Sequence, residues 1–262
     1  MALPRLLQRP FRRQPPDTDL AFSDWLDSEL GQALLAEEQS LLAEVLPRLT
    51  GTRALQVSVG SGRNLLDSST IPLRWLAARQ QSDHVSLCAK PSALPLAKRS
   101  LDLLLLHHCL DFEDNPHEAL REAVQSLQPG GSLVVVGFQP LGLWGLARLF
   151  RLASGAIPWV GRFLRPHRVT DWLQVLACEV EGYESRFHNL PLASDRGRRR
   201  MRWLAAIGER LWPQHGAFYI LVARKRAVMM RPQRSRFAMP GQVPNVIPVS
   251  MARWQRRSPP QE

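Results

Sequence analysis

The sequence predicts an α/β protein with a doubly wound, mostly parallel sheet and helices on both faces. Short apolar segments of strand length alternate with segments of helical periodicity, the connections are short, and a glycine turn follows the first strand. The segment Leu101–His107 is almost uninterrupted leucine, which is typical of a parallel strand buried on both faces. A chain of 262 residues, 45 % of them hydrophobic, is long enough for one such domain.

The predicted elements have clear boundaries. Leucines at helical spacing predict a helix over Ala33–Leu49, which Thr50-Gly51 ends. Asp114-Asn115-Pro116 supplies an N-cap region and a first-turn proline for a helix over His117–Leu127, which Pro129-Gly130-Gly131 stops. The other predicted elements are strands over Ala54–Val59, Ile71–Ala77, Val85–Ala89, Ser132–Phe138, Glu179–Phe187 and Ala217–Ala223, and helices over Val169–Ala177 and Met201–Trp212.

One folded domain is predicted between two basic tails. Residues 1–16 carry four arginines and no acid, and the proline-rich residues 227–262 carry six arginines and one acid. We expect the second tail to be disordered and residues 17–226 to form the domain. Its helical cap or insertion at about 141–165 is either a helix pair packed on the sheet or a cap over the rim of the active site. The domain holds only +2 of the net charge of +11. The tails permit weak binding to polyanions such as nucleic acid but specify none.

The compartment is predicted from apolar runs and cysteines. No apolar run approaches the ~20 residues of a membrane span, and the N-terminus lacks the continuous apolar segment of a secretory signal. Cys88, Cys109 and Cys178 lie far apart in apolar stretches, which predicts buried, unpaired thiols in a reducing compartment. No histidine or cysteine spacing typical of a metal site occurs, so we expect no metal. These observations predict a cytoplasmic protein, and they leave its oligomeric state open.

Three segments carry a family resemblance. They are LQVSVGSG at 55–62, SALP at 92–95 followed by SLDLLL at 100–105, and the helix that begins at Asn115 and runs into the LQPGG turn at 127–131. In order and spacing they resemble the class I S-adenosylmethionine-dependent methyltransferases of the small type-11 group. The resemblance implies a Rossmann-like fold, S-adenosyl-L-methionine as cofactor, and methyl transfer to an acceptor that the sequence does not identify.

The glycine turn is the expected centre of the cofactor site. Glycine lets a backbone approach a ligand without a Cβ clash, and a helix opened by Arg63–Leu66 would offer free N–H groups. The resemblance matches Gly60 and Gly62 to the second and third glycines of the family's pattern, with Ser58 in place of the first. The cofactor-binding residues it implies are Gln56, Ser58, Gly60, Ser61, Gly62, Asn64, Lys90, Ser92, Ala93, Leu94 and His107.

Three positions depart from the family's pattern in charge. Gln56 replaces the acid before the glycines, Leu76–Ala78 lacks the acid that holds the ribose, and Lys90 replaces an aspartate near the adenine. Glutamine still forms hydrogen bonds but does not pair with an ammonium as a carboxylate does. These departures favour an alternative function, a catalytically degenerate methyltransferase-like binding module, for which the basic tails make nucleic acid a candidate partner.

A histidine pair ends the fourth predicted strand. His107 lies at the carboxyl edge, where ligands bind in open α/β sheets, and the resemblance makes it the candidate base or positioning residue. Because side chains alternate along a strand, His108 is expected to point to the other face if the strand continues.

Overall fold

The computed structural model describes residues 18–60, 63–151, 155–192, 195–200, 203, 208, 210 and 214–227. Contacts divide the chain into two units, Met1–Val228 and Met229–Glu262, and the second lies outside the described residues. The predicted tails, 1–16 and 227–262, likewise fall outside them except for residue 227. The boundaries of the predicted domain, 17–226, therefore stay predictions.

A seven-stranded sheet in the order β3-β2-β1-β4-β5-β7-β6 forms the centre of the fold. The five strands from β3 to β5 run parallel, whereas β7 pairs antiparallel with both β5 and β6. The predicted fold class is confirmed. The strands are β1 (Arg53–Ser58), β2 (Leu73–Ala78), β3 (Leu87–Cys88), β4 (Leu101–His107), β5 (Leu127–Phe138), β6 (Cys178–Arg186) and β7 (Phe218–Lys225).

Helices precede and connect the strands. Ser28 caps the second helix by accepting a hydrogen bond from the backbone N–H of Gly31, and Asn115 caps the fourth in the same way from Glu118, as its sequence predicts. A short 3-10 turn, Leu46–Arg48, follows the second helix. The α-helices are α1 (Thr18–Asp27), α2 (Glu29–Val45), α3 (Cys109–Phe112), α4 (Pro116–Ser126), α5 (Leu143–Arg151), α6 (Pro166–Val175) and α7 (Asp195–Arg200).

The prediction of a helix opened by Arg63–Leu66 is wrong, because these residues form an irregular loop. Side chains take up the backbone N–H groups there. The Gln56 side-chain oxygen accepts from Leu65 N at 2.8 Å, and the Asn64 side-chain oxygen accepts from Leu66 N at 3.0 Å. The described residues between β1 and β2, and those between β2 and β3, contain no helix. As a result, Trp75 of β2 is 39 % exposed.

The segment after β5 also differs from its prediction. Of the helix pair expected at about 141–165, α5 forms, and residues 155–165 are turns and irregular chain that include Pro158 and Gly161, which interrupt helices. Helix α7 contains a run of basic residues at 196–200. Most of the helix predicted over Met201–Trp212 lies outside the described residues. Cys88 is exposed rather than buried because its two-residue strand lies at the sheet edge.

The topology fixes where a ligand would bind. Strand order reverses between β1 and β4, since β2 and β3 extend the sheet on one side and β5 on the other. In open α/β sheets the crevice for a ligand lies at the carboxyl ends of the strands beside such a reversal. We call this region, formed by the carboxyl ends of β1, β2 and β4 and the residues that follow them, the carboxyl edge.

Candidate functional site

The carboxyl edge brings Ser58 and His107 together, because the last residues of β1 and β4 are paired in register. Both side chains are buried. Gly60 follows with a φ of +87°, a left-handed conformation that favours glycine. A Cβ at Gly60 would lie 2.4 Å from Ser23 Oγ, so helix α1 packs directly on this turn. The backbone conformation and the packing of α1 therefore each favour glycine at this position.

Gln56 organises the turn from within β1. It is fully buried, and its side-chain amide donates to Ser58 Oγ at 2.7 Å and to the carbonyl of Arg63 at 2.6 Å. Its oxygen accepts from Leu65 N, so both ends of the amide are hydrogen-bonded. Gln56 therefore holds Arg63 and Leu65 against β1, whereas Ser61 and Gly62 lie outside the described residues.

The other sequence-predicted residues lie around the carboxyl edge with varied exposure. Ser92 is half-buried and donates from Oγ to Glu113 Oε1 at 2.9 Å. Lys90 and Ala93 are exposed and form a small backbone bridge, and Leu94 behind them is buried. Asn64 is exposed and donates from its amide to the carboxylate of Asp67.

Glu38 joins the two histidines in one buried network. Its two carboxylate oxygens each lie 2.9 Å from an imidazole Nε2, one from His107 and one from His108. His108 Nδ1 is 3.0 Å from Asp111 Oδ2, which also accepts a hydrogen bond from Phe138 N. We call Glu38, His107, His108 and Asp111 the buried network. It ties helices α2 and α3 to the ends of β4 and β5.

The condition under which His108 would point to the other face is not met, because the strand ends at His107. His108 adopts a left-handed φ of +54°, and its ring lies against Glu38. Aromatic rings enclose it, with Phe138 stacked at 4.1 Å and Phe22 of α1 at 5.5 Å between ring centroids. His107 is buried in the same region, and its expected role as base or positioning residue stays a prediction.

The charges of the buried network follow from its partners. Burial opposes a charge on His108, but Glu38 and Asp111 outweigh it and raise the pKa of His108 to about 9. Burial also opposes a charge on Glu38, yet the two imidazoles lower the pKa of Glu38 to about 2. Burial dominates at His107, whose pKa is lowered. At neutral pH the network therefore holds an imidazolium, His108, beside the Glu38 carboxylate.

This distribution predicts a pH dependence. Because the pKa of His108 is higher in the folded protein, its contribution to the free energy of unfolding is complete below about pH 6.5 and is lost as pH rises through about 9. We expect the ring protons of His108 to titrate near pH 9 in an NMR titration of the folded protein. Titration of His108 near the ordinary histidine value would contradict the network.

Three residues of the buried network, Glu38, His107 and His108, carry groups that can also bind metal ions. One ligand atom each from Glu38, His107 and His108 lies within 4.8 Å of the others. A carboxylate with two imidazoles can bind a divalent metal. In the structure these atoms are hydrogen-bonded to one another.

A second polar group, which the sequence analysis missed, lies at the carboxyl edge. Arg79, directly after β2, forms an ion pair with Glu113, which also accepts the bond from Ser92. Asp19 of α1 is buried and interacts electrostatically with Arg79 and Glu113. We call Asp19, Arg79, Ser92 and Glu113 the edge cluster. It brings the carboxylates of Asp19 and Glu113 to the carboxyl edge, where Gln56, Leu76–Ala78 and Lys90 supply none.

Two atoms of the edge cluster are buried without a hydrogen-bond partner, Asp19 Oδ1 and Arg79 Nε. Burial raises the pKa of Asp19, with Glu113 adding to the shift and Arg79 opposing it. Buried polar atoms are normally satisfied, so an unpartnered carboxylate oxygen and an unpartnered guanidinium nitrogen in the same cluster fit a polar ligand. Asp19 is visible in the sequence as an acidic residue, but no spacing connects it to Arg79 or Glu113. The edge cluster therefore could not be predicted from a local motif.

Comparisons with known proteins found a matching family model and two related sequences. The family model for a methyltransferase domain matches residues 55–135. The uncharacterized protein YafS of Escherichia coli (strain K12) is 35 % identical over 144 residues, which are 55 % of this chain and 56 % of that protein. The ubiquinone/menaquinone biosynthesis C-methyltransferase UbiE of Ruegeria sp. (strain TM1040) is 28 % identical over 153 residues, covering 55 % and 58 %.

The fold has solved counterparts. A crystal structure of an S-adenosylmethionine-dependent methyltransferase from Thermotoga maritima superposes with a TM-score of 0.51 and 18 % identity, covering 74 % of this chain and 96 % of that one. The chain spans just over half the length of the curated relatives it matches. From β1 to β5, the chain therefore matches the model of the methyltransferase-domain family, and its fold is that of the methyltransferase from Thermotoga maritima.

Proposed function

We propose that this protein is a methyltransferase that binds S-adenosyl-L-methionine at the carboxyl edge and transfers its methyl group to an acceptor that is not identified. The edge cluster carries the proposal, because Asp19 Oδ1 and Arg79 Nε are buried, unpartnered and placed beside the strand reversal. The family match over residues 55–135 supports it. When bound, the cofactor supplies an electrophilic methyl group on a sulfonium.

The edge cluster has groups complementary to this cofactor, which carries a cationic ammonium and sulfonium, a carboxylate and two ribose hydroxyls. Asp19 and Glu113 supply the carboxylates missing at Gln56 and Leu76–Ala78. Charge-assisted hydrogen bonds of this kind are about twice as strong as neutral ones. Arg79 provides the complementary guanidinium. We propose that these residues act with the predicted set at and after the ends of β1 and β3, namely Ser58, Gly60, Ser61, Gly62, Asn64, Lys90, Ser92, Ala93 and Leu94.

Different roles follow for Gln56 and His107. Gln56 acts through the loop, because its amide holds Ser58, Arg63 and Leu65 in place. His107 acts as a positioning residue through Glu38, to which its Nε2 is bound. Methyl transfer depends mainly on alignment of the acceptor atom, the methyl carbon and the sulfur, so a fixed end of β4 serves it directly.

The acceptor and the compartment are proposed only in outline. The name of one relative, UbiE, describes a C-methyltransferase, which makes carbon a candidate acceptor atom here. None of the described helices is long and apolar enough to cross a membrane. Cys88, Cys109 and Cys178 are all free thiols, which supports the cytoplasm as the compartment that we propose.

Thermal unfolding with and without cofactor tests the proposal. We expect S-adenosylmethionine and its demethylated product S-adenosylhomocysteine each to raise the melting temperature. At a ligand concentration a hundredfold above Kd, the free energy of unfolding rises by about 2.7 kcal/mol. Adenosine and methionine supplied separately serve as controls. An unchanged melting temperature at millimolar concentrations of both ligands would contradict the proposal and favour the binding-module alternative.

A further inference from the structure

Helix α5 presents an apolar face to solvent. Exposed large hydrophobic side chains are concentrated within ten residues, 141–150, and two of them, Leu149 and Phe150, are 69 % and 80 % exposed. Contiguous exposed apolar surface of this kind marks an interaction site more often than scattered single residues do. We call Leu141, Leu143, Leu146, Leu149 and Phe150 the α5 patch.

The opposite side of α5 fixes the helix to the domain. Trp144 is buried and donates from its indole nitrogen to the carbonyl of Asn189 at 3.0 Å. Gly145 packs so closely that a Cβ would lie 1.8 Å from the carbonyl oxygen of Pro140. Because Trp144 and Gly145 are both buried, the α5 patch is held outward and cannot be buried by rotation of the helix.

Arginines border the α5 patch. Residues 139–170 contain five arginines and no acidic residue. Arg148 is half-buried and donates from Nε to the carbonyls of Trp159 and Gly161, whereas Arg151 and Arg165 are exposed. Arg165 lines a cavity of about 440 Å³ together with Leu146 and Leu149 of the patch. The patch is therefore apolar at its centre and cationic at its border.

This charge pattern selects among the surfaces that could cover the α5 patch. A second copy of the chain would bring the same arginines against each other, and the two terminal tails are themselves basic. An anionic lipid surface offers both hydrocarbon for the leucines and phenylalanine and negative headgroups for the arginines.

We propose that the α5 patch docks this protein on an anionic lipid bilayer, with Leu149 and Phe150 inserted at the boundary between headgroups and acyl chains. The docking goes beyond the proposed methyl transfer and does not depend on it. It would bring the cavity beside Leu146 and Arg165 to the membrane surface.

Vesicle co-sedimentation of the full chain tests the docking. The probes are phosphatidylcholine vesicles and vesicles that also contain about 30 % phosphatidylglycerol, near the anionic content that attracts basic segments. We expect the wild type to bind the anionic vesicles at least about tenfold more tightly, and Leu149→Ser with Phe150→Ser to lose at least about tenfold of that binding. The matched control, Leu73→Ser with Val175→Ser, removes two other hydrophobic side chains that are 50 % and 80 % exposed and should bind like the wild type.

The same variants separate docking from its alternatives. Unchanged binding by the patch variant would assign the attachment to the basic tails and overturn the proposal. If the wild type is a dimer in the absence of lipid and the patch variant is a monomer, the patch binds a second copy of the chain. That result would also overturn the proposal. The patch variant should retain its melting-temperature shift with S-adenosylhomocysteine, so failure to dock and failure to bind the cofactor are distinguishable.

Discussion

Glu38→Ala is expected to lower the free energy of unfolding by about 3–5 kcal/mol, the range seen when one partner of a buried ionic pair is removed. The Glu38 carboxylate lies between His107 and His108, and the described structure leaves all three almost without solvent contact. Removing it leaves a buried imidazolium at His108 with only Asp111 as a charged partner. The remaining charge must then be lost or exposed, and either change destabilises the fold.

Urea denaturation of Glu38→Ala beside Glu37→Ala measures this effect. Glu37 is the preceding residue of the same helix and is exposed, so its substitution should change the free energy of unfolding by no more than about 0.5 kcal/mol. Equal effects of the two substitutions would show that the buried network does not stabilise the protein.

Asp19→Asn is expected to weaken binding of S-adenosylmethionine by about ten- to a hundredfold, because hydrogen bonds to charged groups contribute about 1.5–3 kcal/mol. The substitution keeps the shape of the side chain and removes its charge. Asp19 Oδ1 has no partner in the described structure, so little of the stability of α1 depends on that oxygen. The loss should therefore fall on ligand affinity.

Calorimetric titration of Asp19→Asn against Asp24→Asn isolates the role of this carboxylate. Asp24 lies on the same helix but is exposed, and its variant should bind the cofactor like the wild type. Equal affinity of both variants for the cofactor would remove Asp19 from the proposed site.

The sequence predicts the fold well where local chemistry and long-range packing agree. The leucine-rich β4 is buried along its whole length, and Asn115 of the predicted N-cap region caps α4, which begins one residue before the predicted start. The prediction fails after the glycine turn, where the side-chain amide of Gln56 donates to the carbonyl of Arg63, which a helix would need as an acceptor. Nothing in the local pattern of residues 63–66 reveals this competition.

The site was only partly predictable because its decisive contacts join distant segments. His107 and His108 were predicted at the carboxyl edge, but Glu38 lies 69 and 70 residues away from them. The motifs suggested a site without carboxylates, whereas the fold brings Asp19 from the first described helix and Glu113 from beyond α3. In the proposed site, the two carboxylates therefore come from parts of the chain that no local motif connects.

A crystal structure of the protein with S-adenosylhomocysteine tests the central claim most directly. We predict electron density for the ligand at the carboxyl ends of β1, β2 and β4, with one of its polar groups within hydrogen-bond distance of Asp19 Oδ1. Density at another surface, or an edge cluster left unoccupied at saturating ligand, would contradict the account.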